Sequence, residues 1–261
     1  MPELPEVEHA VRRLRRWTRG RTIARAVAHH AAIRRTLTPA LLRALAGQAI
    51  TGVSRRGKHQ FVHLGNGRVL HVHFRMNGDW EQVRAGAEPP RHVRLTLALD
   101  DGSAVVLTDS RALATAVLVP SVEEAVADLG PEADDKALTG AAFHAMLAGK
   151  RTPIKVALLD QRLLAGVGNI YATEACWHAR VSPRAAAGSL TVARATAVLD
   201  GVRTALGRGM RREGRYQDGN SHEFLVYDRE GAPCHHGCGG TIKRMVQAGR
   251  STYWCPRCQA R

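Results

Sequence analysis

Met1-Pro2-Glu3-Leu4-Pro5-Glu6-Val7-Glu8 places a proline directly after the initiator methionine, a carboxyl beside it, and a second proline among acids. A methionine before so small a residue is expected to be clipped, which leaves Pro2 with a secondary amine as the N-terminus. An α-amino group has a pKa of roughly 8, so a neutral fraction exists near pH 7. That amine can attack an aldehyde-like carbon without an activating base. Glu3 adjoins it and Glu6 follows three residues on, so carboxyls stand ready for the proton transfers of imine chemistry. The same residues suit a plain helix start, with proline in the first turn and acids against the N-terminal dipole. Beyond them Val7, Ala10, Val11, Leu14 and Trp17 recur at helical spacing with arginines between. The spacing predicts one amphipathic helix that packs on a sheet and fixes the N-terminus in place.

The length, 261 residues, allows two domains and a small appendage, and the 44% hydrophobic content suffices for buried cores. Lys and Arg total 38 against 23 Asp and Glu, a formal net charge of +15. Such a surface attracts polyanions, nucleic acid foremost. An acidic membrane surface is the rival partner, but there is no basic amphipathic anchor and no apolar run of transmembrane length. The charged N-terminus does not resemble a signal peptide. A cytoplasmic protein that binds no membrane is the expectation. Five cysteines in that setting argue against a disulfide framework.

From about Ala49 to Pro120 the hydrophobic period is two. Phe61 and His63, the turn Gly65-Asn66-Gly67, and Val69, His71 and His73 read as strand, turn and strand. Val93 to Leu99, the turn at Asp100-Asp101-Gly102, Val105 to Thr108 and Ala114 to Val119 continue the pattern. Strand after strand without helices predicts an antiparallel sandwich or barrel. Ser121 to Lys136 is acidic and loop-like, a boundary. Helices are predicted over Thr139–Leu147, from Ile154 through Gln161, over Ile170–His178 and over Thr191–Leu206. Gly207 to Ser221, basic and rich in glycine, reads as a loop.

Cys234-x3-Cys238 and Cys255-x2-Cys258, sixteen residues apart, supply four thiolates for one tetrahedral Zn²⁺. With every position filled by protein, the ion is structural, and it stabilises a segment too small for its own core by on the order of 10 kcal/mol. His235 and His236 are alternative ligands, and Cys176 reads as a buried helix residue. Between the pairs Lys243 to Thr252 forms a basic hairpin turning at Ala248-Gly249, with Arg250 at the tip to reach DNA phosphates. Leu164-x-Gly166-x-Gly168-Asn169 lacks the strand and third glycine of a nucleotide fingerprint. It reads as a tight turn between helices that offers backbone N–H groups and the Asn169 amide to a phosphate. Ser54-Arg55-Arg56-Gly57-Lys58 reads as a strand opening from which Lys58 points off the sheet, either to a ligand or as an exposed edge lysine.

Taken together, the N-terminal Pro2 to Glu8, Arg56-Gly57-Lys58, Ile154 to Tyr171 and Gly249 to Gln259 resemble bacterial formamidopyrimidine-DNA glycosylases, in the wider family that includes endonuclease VIII. The resemblance runs in family order from end to end. It implies an α+β chain with an N-terminal antiparallel β-sandwich over residues 1–128, a helix-two-turn-helix domain over 129–222 and a zinc-finger β-hairpin over 223–261. It implies double-stranded DNA containing a damaged base as the partner, one structural Zn²⁺ on Cys234, Cys238, Cys255 and Cys258, and a monomer. Carried over by position, Pro2 attacks the sugar C1′ and forms a Schiff base, Glu3 is the acid/base at the sugar, and Glu6 supports them. Lys58 is counted with Pro2 and Glu3 among the catalytic residues and, with Asn169 and Arg250, holds phosphates around a flipped nucleotide, while Met76, Arg111 and Leu113 fill the gap it leaves. His92 is a further DNA contact on the same ground.

The chain departs from the family where the base is read. Leu113 stands where Phe is usual, which gives up stacking worth roughly 1–3 kcal/mol per base. Arg75 replaces a usual Gly beside Met76, Ala112 a frequent Arg, and Gly207 to Glu223 the usual purine-capping loop. The expected activity is therefore a bifunctional glycosylase and AP lyase acting on oxidised purines. The alternatives are a shifted lesion choice (oxidised pyrimidine, abasic site or bulkier adduct) and a non-catalytic damage-binding protein. A generic zinc-ribbon transcription factor leaves the N-terminus unexplained.

Overall fold

The first helix, α1 (Leu4–Thr18), buries Leu4, Val7, Ala10, Val11 and Leu14 along one stripe, and Pro5 lies in its first turn where a missing N–H costs nothing. Its polar side is tied to the strands beside it. Arg13 donates to both carboxylate oxygens of Asp79 at 2.7 Å, Arg15 to the Val53 carbonyl at 2.8 Å, and Glu8 accepts from Arg12 and Arg55 at 2.8 Å. The helix is thereby fixed on the sheets at several points along its length. The computed structural model describes residues 1–211 and 224–260, and the chain divides into two compact units, Met1–Ala127 and Asp128–Arg261.

In the first unit, β1 (Ile23–Ala28) is followed by two short helices, α2 (Ala31–Arg34) and α3 (Pro39–Leu45). Then come β2 (Ile50–Arg56), β3 (His59–Leu64), β4 (Val69–His73), β5 (Asp79–Val83), β6 (Val93–Leu99), β7 (Ala104–Thr108), β8 (Thr115–Val119) and the short α4 (Val122–Ala125). The strands form two four-stranded antiparallel sheets, ordered β1-β6-β7-β5 and β2-β3-β4-β8. Alternate residues of both sheets (Val53, Val62, Leu70 and Val72 from one, Leu95, Leu97, Val105 and Leu107 from the other) meet in a shared core with the apolar stripe of α1. This is a sandwich rather than a barrel, since each sheet keeps two free edges.

The sequence reading missed β1 and β5, and these are the two edges of one sheet. A register shift between Ile23 and Arg25 breaks the period-two pattern in β1, and in β5 only Trp80 is buried. Polar, irregular edges resist further strand pairing, and for the same reason they carry a weak strand signature.

The second unit contains α5 (Gly140–Leu147), α6 (Ile154–Ala157), α7 (Asn169–His178), α8 (Val192–Arg211) and the hairpin β9 (Lys243–Gln247) and β10 (Arg250–Trp254). Two helix limits need correcting. The helix predicted through Gln161 stops at Ala157, because the Gln161 side chain is spent on the turn that follows. Its Nε2 donates to the carbonyls of Leu159 and Val167, and its Oε1 accepts the Gly166 N–H at 3.0 Å. The last long helix, predicted to end at Leu206, continues to Arg211 despite Gly207 and Gly209, since Ala205, Leu206 and Gly209 are buried and packing outweighs glycine's poor propensity. The rest of the expected loop, residues 212–223, lies outside the described residues.

Candidate active site

Pro2 and Glu3 are both buried at the start of α1, Glu3 being 2% exposed. Glu3 is the N-cap, and its backbone N–H donates to Glu6 Oε2 at 2.8 Å. Glu6, itself buried, therefore fixes the backbone that carries Glu3 and the proline before it. The helix-start reading and the chemical reading of this stretch are compatible: the cap is what holds the two groups still.

Lys58 does not point off a strand as an exposed edge residue. It lies in the two-residue turn between β2 and β3 and is only 8% exposed. Three further turns of this unit carry the other candidates. Arg75, at φ 54°, directs the chain into Met76, which is half-buried. Ala112, also at φ 54°, separates Arg111 from Leu113, which is 45% exposed. His92 is exposed at φ 63°. Left-handed backbone at non-glycine residues costs of order 1 kcal/mol or more and gathers where function fixes a loop.

Asp109, 1% exposed, organises two of these turns. Its carboxylate accepts the N–H groups of Arg111 at 3.0 Å, Leu113 at 2.6 Å and Ala114 at 2.7 Å, and its own N–H donates to the His92 carbonyl at 3.0 Å. Asn77 Nδ2 donates to Ser110 Oγ at 2.6 Å and joins the Met76 turn to the Arg111 loop. Asp109 was not singled out from sequence, although an Asp opening a short polar loop is a recognisable turn former.

In the second unit Asn169 opens α7. Its Oδ1 accepts from Lys155 Nζ at 2.5 Å and its Nδ2 donates to the Ser251 carbonyl at 3.0 Å. Ser251 follows Arg250 on β10, so Asn169 and the exposed Arg250 are brought together by one hydrogen bond and one residue of chain. Lys155 is 0% exposed and was also missed. Its position inside the apolar run Ile154-Lys155-Val156-Ala157 is the available signal, since a surface lysine seldom has such neighbours. Glu174, 3% exposed, accepts the N–H groups of Leu225, Val226 and Tyr227 at 2.8–3.0 Å and pins the segment leading into the cysteine module. Burial raises its pKa, and the three amide donors work against that rise.

The four cysteine sulfurs lie within 4.8 Å of one another, with Cys234···Cys258 at 3.7 Å and Cys238···Cys255 at 3.6 Å. Four thiolates at Zn–S distances of about 2.3 Å in a tetrahedron stand about 3.8 Å apart, so the set fits one structural Zn²⁺. Trp177 Nε1 donates to Cys234 Sγ at 3.4 Å, and His236 Nδ1 lies 3.3 Å from Cys258 Sγ with its ring stacked on Trp177 at 3.7 Å. His236 thus supports a sulfur from outside the quartet, and neither it nor His235 belongs to the ligand cluster. At Gly240 an added Cβ would stand 2.7 Å from Cys255 Sγ and 3.2 Å from Cys238 Sγ, so the cluster requires glycine there. Cys176 is wholly buried and its thiol is pushed up to about 12 by burial, as suits an inert helix residue. No helix among the described residues is long and apolar enough to cross a membrane.

Comparison with known proteins covers the whole chain. Residues 1–116 match the formamidopyrimidine-DNA glycosylase N-terminal domain, 129–219 the formamidopyrimidine-DNA glycosylase H2TH domain, and 231–261 the zinc finger found in FPG and IleRS. The formamidopyrimidine-DNA glycosylase of Paracoccus denitrificans is 40% identical over 280 residues, spanning 99% of this chain and all of that protein. The relative from Rhodopseudomonas palustris is 38% identical with the same coverage. Among solved structures, Lactococcus lactis Fpg with DNA containing Fapy-dG superposes with a TM-score of 0.91 at 29% identity, over 99% of this chain and 100% of that one. The same protein bound to DNA with an abasic site gives 0.90 at 30% identity, with both chains fully covered. On its sequence, its fold and its cysteine module, the chain belongs to the formamidopyrimidine-DNA glycosylase family.

Proposed function

We propose that this chain is a bifunctional DNA glycosylase and AP lyase of base-excision repair, acting as a monomer on double-stranded DNA that contains a damaged base. The observation that carries the reading is the buried, capped pair Pro2 and Glu3 at the start of α1, in a chain of this family. Once Met1 is removed, the Pro2 nitrogen attacks C1′ of the extruded nucleotide and the C1′–base bond breaks. Glu3 protonates the ring oxygen, the sugar opens, and the amine and C1′ become an iminium. That cation acidifies the C2′ protons, so loss of one expels the 3′ phosphate by β-elimination, and δ-elimination then expels the 5′ phosphate. Lys58, Asn169, Arg250 and His92 hold the DNA backbone, and Met76, Arg111 and Leu113 fill the vacated stack. The zinc holds the hairpin that presents Arg250 and takes no part in the chemistry. Because its proposed substrate is chromosomal DNA, we infer a bacterial cytoplasmic protein associated with the nucleoid.

Oxidised purine is the leading substrate. A shifted lesion choice is favoured by two features at the wedge: Arg75 beside Met76 and the exposed, non-aromatic Leu113. Borohydride trapping on duplexes carrying 8-oxoguanine, an oxidised pyrimidine or a bare abasic site tests both readings. A covalent adduct that is lost in Pro2→Gly and in protein retaining Met1 is expected, and the duplex giving most adduct identifies the lesion class. Tight duplex binding without any adduct, from protein with Met1 removed, would favour a non-catalytic damage-binding protein.

A further inference from the structure

Core residues of β3 and β4 alternate with histidines on the opposite face of the sheet, His59 and His63 on β3 and His71 and His73 on β4. His63 bonds Ser54 Oγ at 2.7 Å, and the other three touch one another. His59 Nδ1 and His71 Nε2 are 2.8 Å apart in a hydrogen bond. His59 and His73 are cross-strand partners with ring centroids at 4.7 Å, edge to face, and His71 stacks on Phe61 at 5.1 Å. His73 Nδ1 accepts the Arg75 N–H at 2.9 Å, which holds Arg75 in its left-handed conformation.

The ends of this chain of contacts are informative. His59 directly follows Lys58, and Arg75 directly precedes Met76. We propose that His59, His71 and His73 are positioning residues that lock the Lys58 turn to the Arg75–Met76 turn, so that phosphate capture by one and stack filling by the other proceed as a single rigid element. The proposal rests on the reading of those turns as DNA contacts. Asn77, bonded to Ser110, extends the same element to the Arg111 loop.

The surroundings keep the imidazoles neutral, as the lock requires. The charges facing them are Arg56 from β2, Lys58 from the β2–β3 turn and Arg75 from the β4–β5 turn, while β8 sets Thr115 opposite His73 and Val117 opposite His71. Burial, helped by those cations and by the neighbouring imidazoles, lowers His59 to about 4 and His73 to about 3, and His71 moves the same way. A protonated His73 would lose the acceptor that holds Arg75. Metal binding does not explain the trio. The cysteine quartet is the only close group of three or more such ligands among the described residues, and His59 Nδ1, His71 Nε2 and His73 Nδ1 are already spent.

Side-chain length separates positioning from packing. An Asn amide stands at the distance of Nδ1 from the backbone and a Gln amide at that of Nε2. His59→Asn and His71→Gln therefore keep the bond, whereas His59→Gln and His71→Asn misplace it by one methylene with the same polarity. The readout is the single-turnover rate of borohydride-trapped adduct on an abasic-site duplex at saturating full-length protein, alongside Kd and Tm. The mismatched variants should be slower by about tenfold or more and the matched ones within about threefold of wild type. The double variant His59→Gln with His71→Asn should be no slower than its slower parent, because one bond is broken once. Equal rates for matched and mismatched variants, or losses that multiply in the double, overturn the proposal. If wild type itself forms no adduct, the proposed chemistry fails, and Kd for a duplex with a stable abasic analogue takes over as the readout. The same ranking there supports the lock and a flat ranking overturns it.

Discussion

Lys155 Nζ, wholly buried on α6, donates to Asn169 Oδ1 at 2.5 Å, and the Asn169 amide passes the constraint on to the Ser251 carbonyl beside Arg250. A buried ammonium is costly to desolvate and is kept only where acceptors meet it. Its worth here is orientational: with Oδ1 held by Lys155, Asn169 must turn its N–H₂ toward β10. Lys155→Met and Asn169→Ala should each weaken binding to an abasic-analogue duplex by about 1–3 kcal/mol, and the double variant by no more than the larger single loss. Fluorescence anisotropy at fixed salt measures this. Additive losses would mean that the two residues act separately.

Asp109 does for the Arg111–Leu113 loop what Lys155 does for Asn169. Three N–H groups converge on its buried carboxylate, and two of them belong to Arg111 and Leu113, the residues proposed to fill the gap. Asp109→Ala strands these donors at about 1–3 kcal/mol for each one left buried, so a stability loss of about 2 kcal/mol or more is expected in urea unfolding. The functional loss should be selective. Affinity for a duplex with an abasic analogue should fall, while affinity for undamaged duplex, which has no gap to fill, should change little. Equal loss on both duplexes would place the loop outside the gap.

The depressed histidines make a prediction about acid. His59 and His73 have folded pKa values of about 4 and about 3, below the ordinary 6.5 of the unfolded chain. The unfolded state therefore binds more protons between these limits. The stability associated with the neutral imidazoles is present above about pH 6.5 and is lost as pH falls toward 4. Wild-type Tm should drop over that window more steeply than the Tm of a His59→Asn, His71→Gln variant, which lacks two of the titrating groups. Parallel Tm curves from pH 7.5 to 4.5 would remove the histidines as the cause.

What could be read from the sequence and what could not divide along physical lines. The α1 stripe, the cysteine quartet and the Ala248-Gly249 hairpin turn depend on residues close in the chain, and spacing alone identifies them. The turn forms at the expected place because Ala248 and Gly249 both take positive φ, 47° and 70°, the twist a two-residue hairpin loop needs. The histidine trio was beyond spacing. His59 meets His73 only because β3 and β4 pair in one particular register, and a shift of a single residue would send the rings to the core face. The burial of Lys58 was equally hidden, since Arg55 and Arg56 beside it suggest a solvated stretch. The Lys155–Asn169 contact depends on how residues 158–168 fold back, which the Gln161 side chain decides through three hydrogen bonds.

The zinc module tests how far these parts act together. Its own apolar residues are few: Val226, Ile242 and Tyr253, with Leu225 and Tyr227 half-buried beside them, pack with Trp177 and the cysteines. A cluster of that size cannot hold a hairpin by burial alone, so the metal supplies the ordering. Chelation, or Cys255→Ser, should weaken binding to every duplex, damaged or not, because Arg250 loses its fixed place. Gly240→Ala should act in the same direction more mildly, since the added methyl crowds Cys255 and Cys238 without removing a ligand. The hairpin also receives the Asn169 hydrogen bond at Ser251. Asn169→Ala should therefore cost less in metal-stripped protein than in zinc-loaded protein, because the partner strand is already free. Anisotropy on both variants with and without zinc measures the difference. An unchanged Asn169→Ala penalty after verified metal loss would show that the α7 turn and the hairpin grip DNA independently.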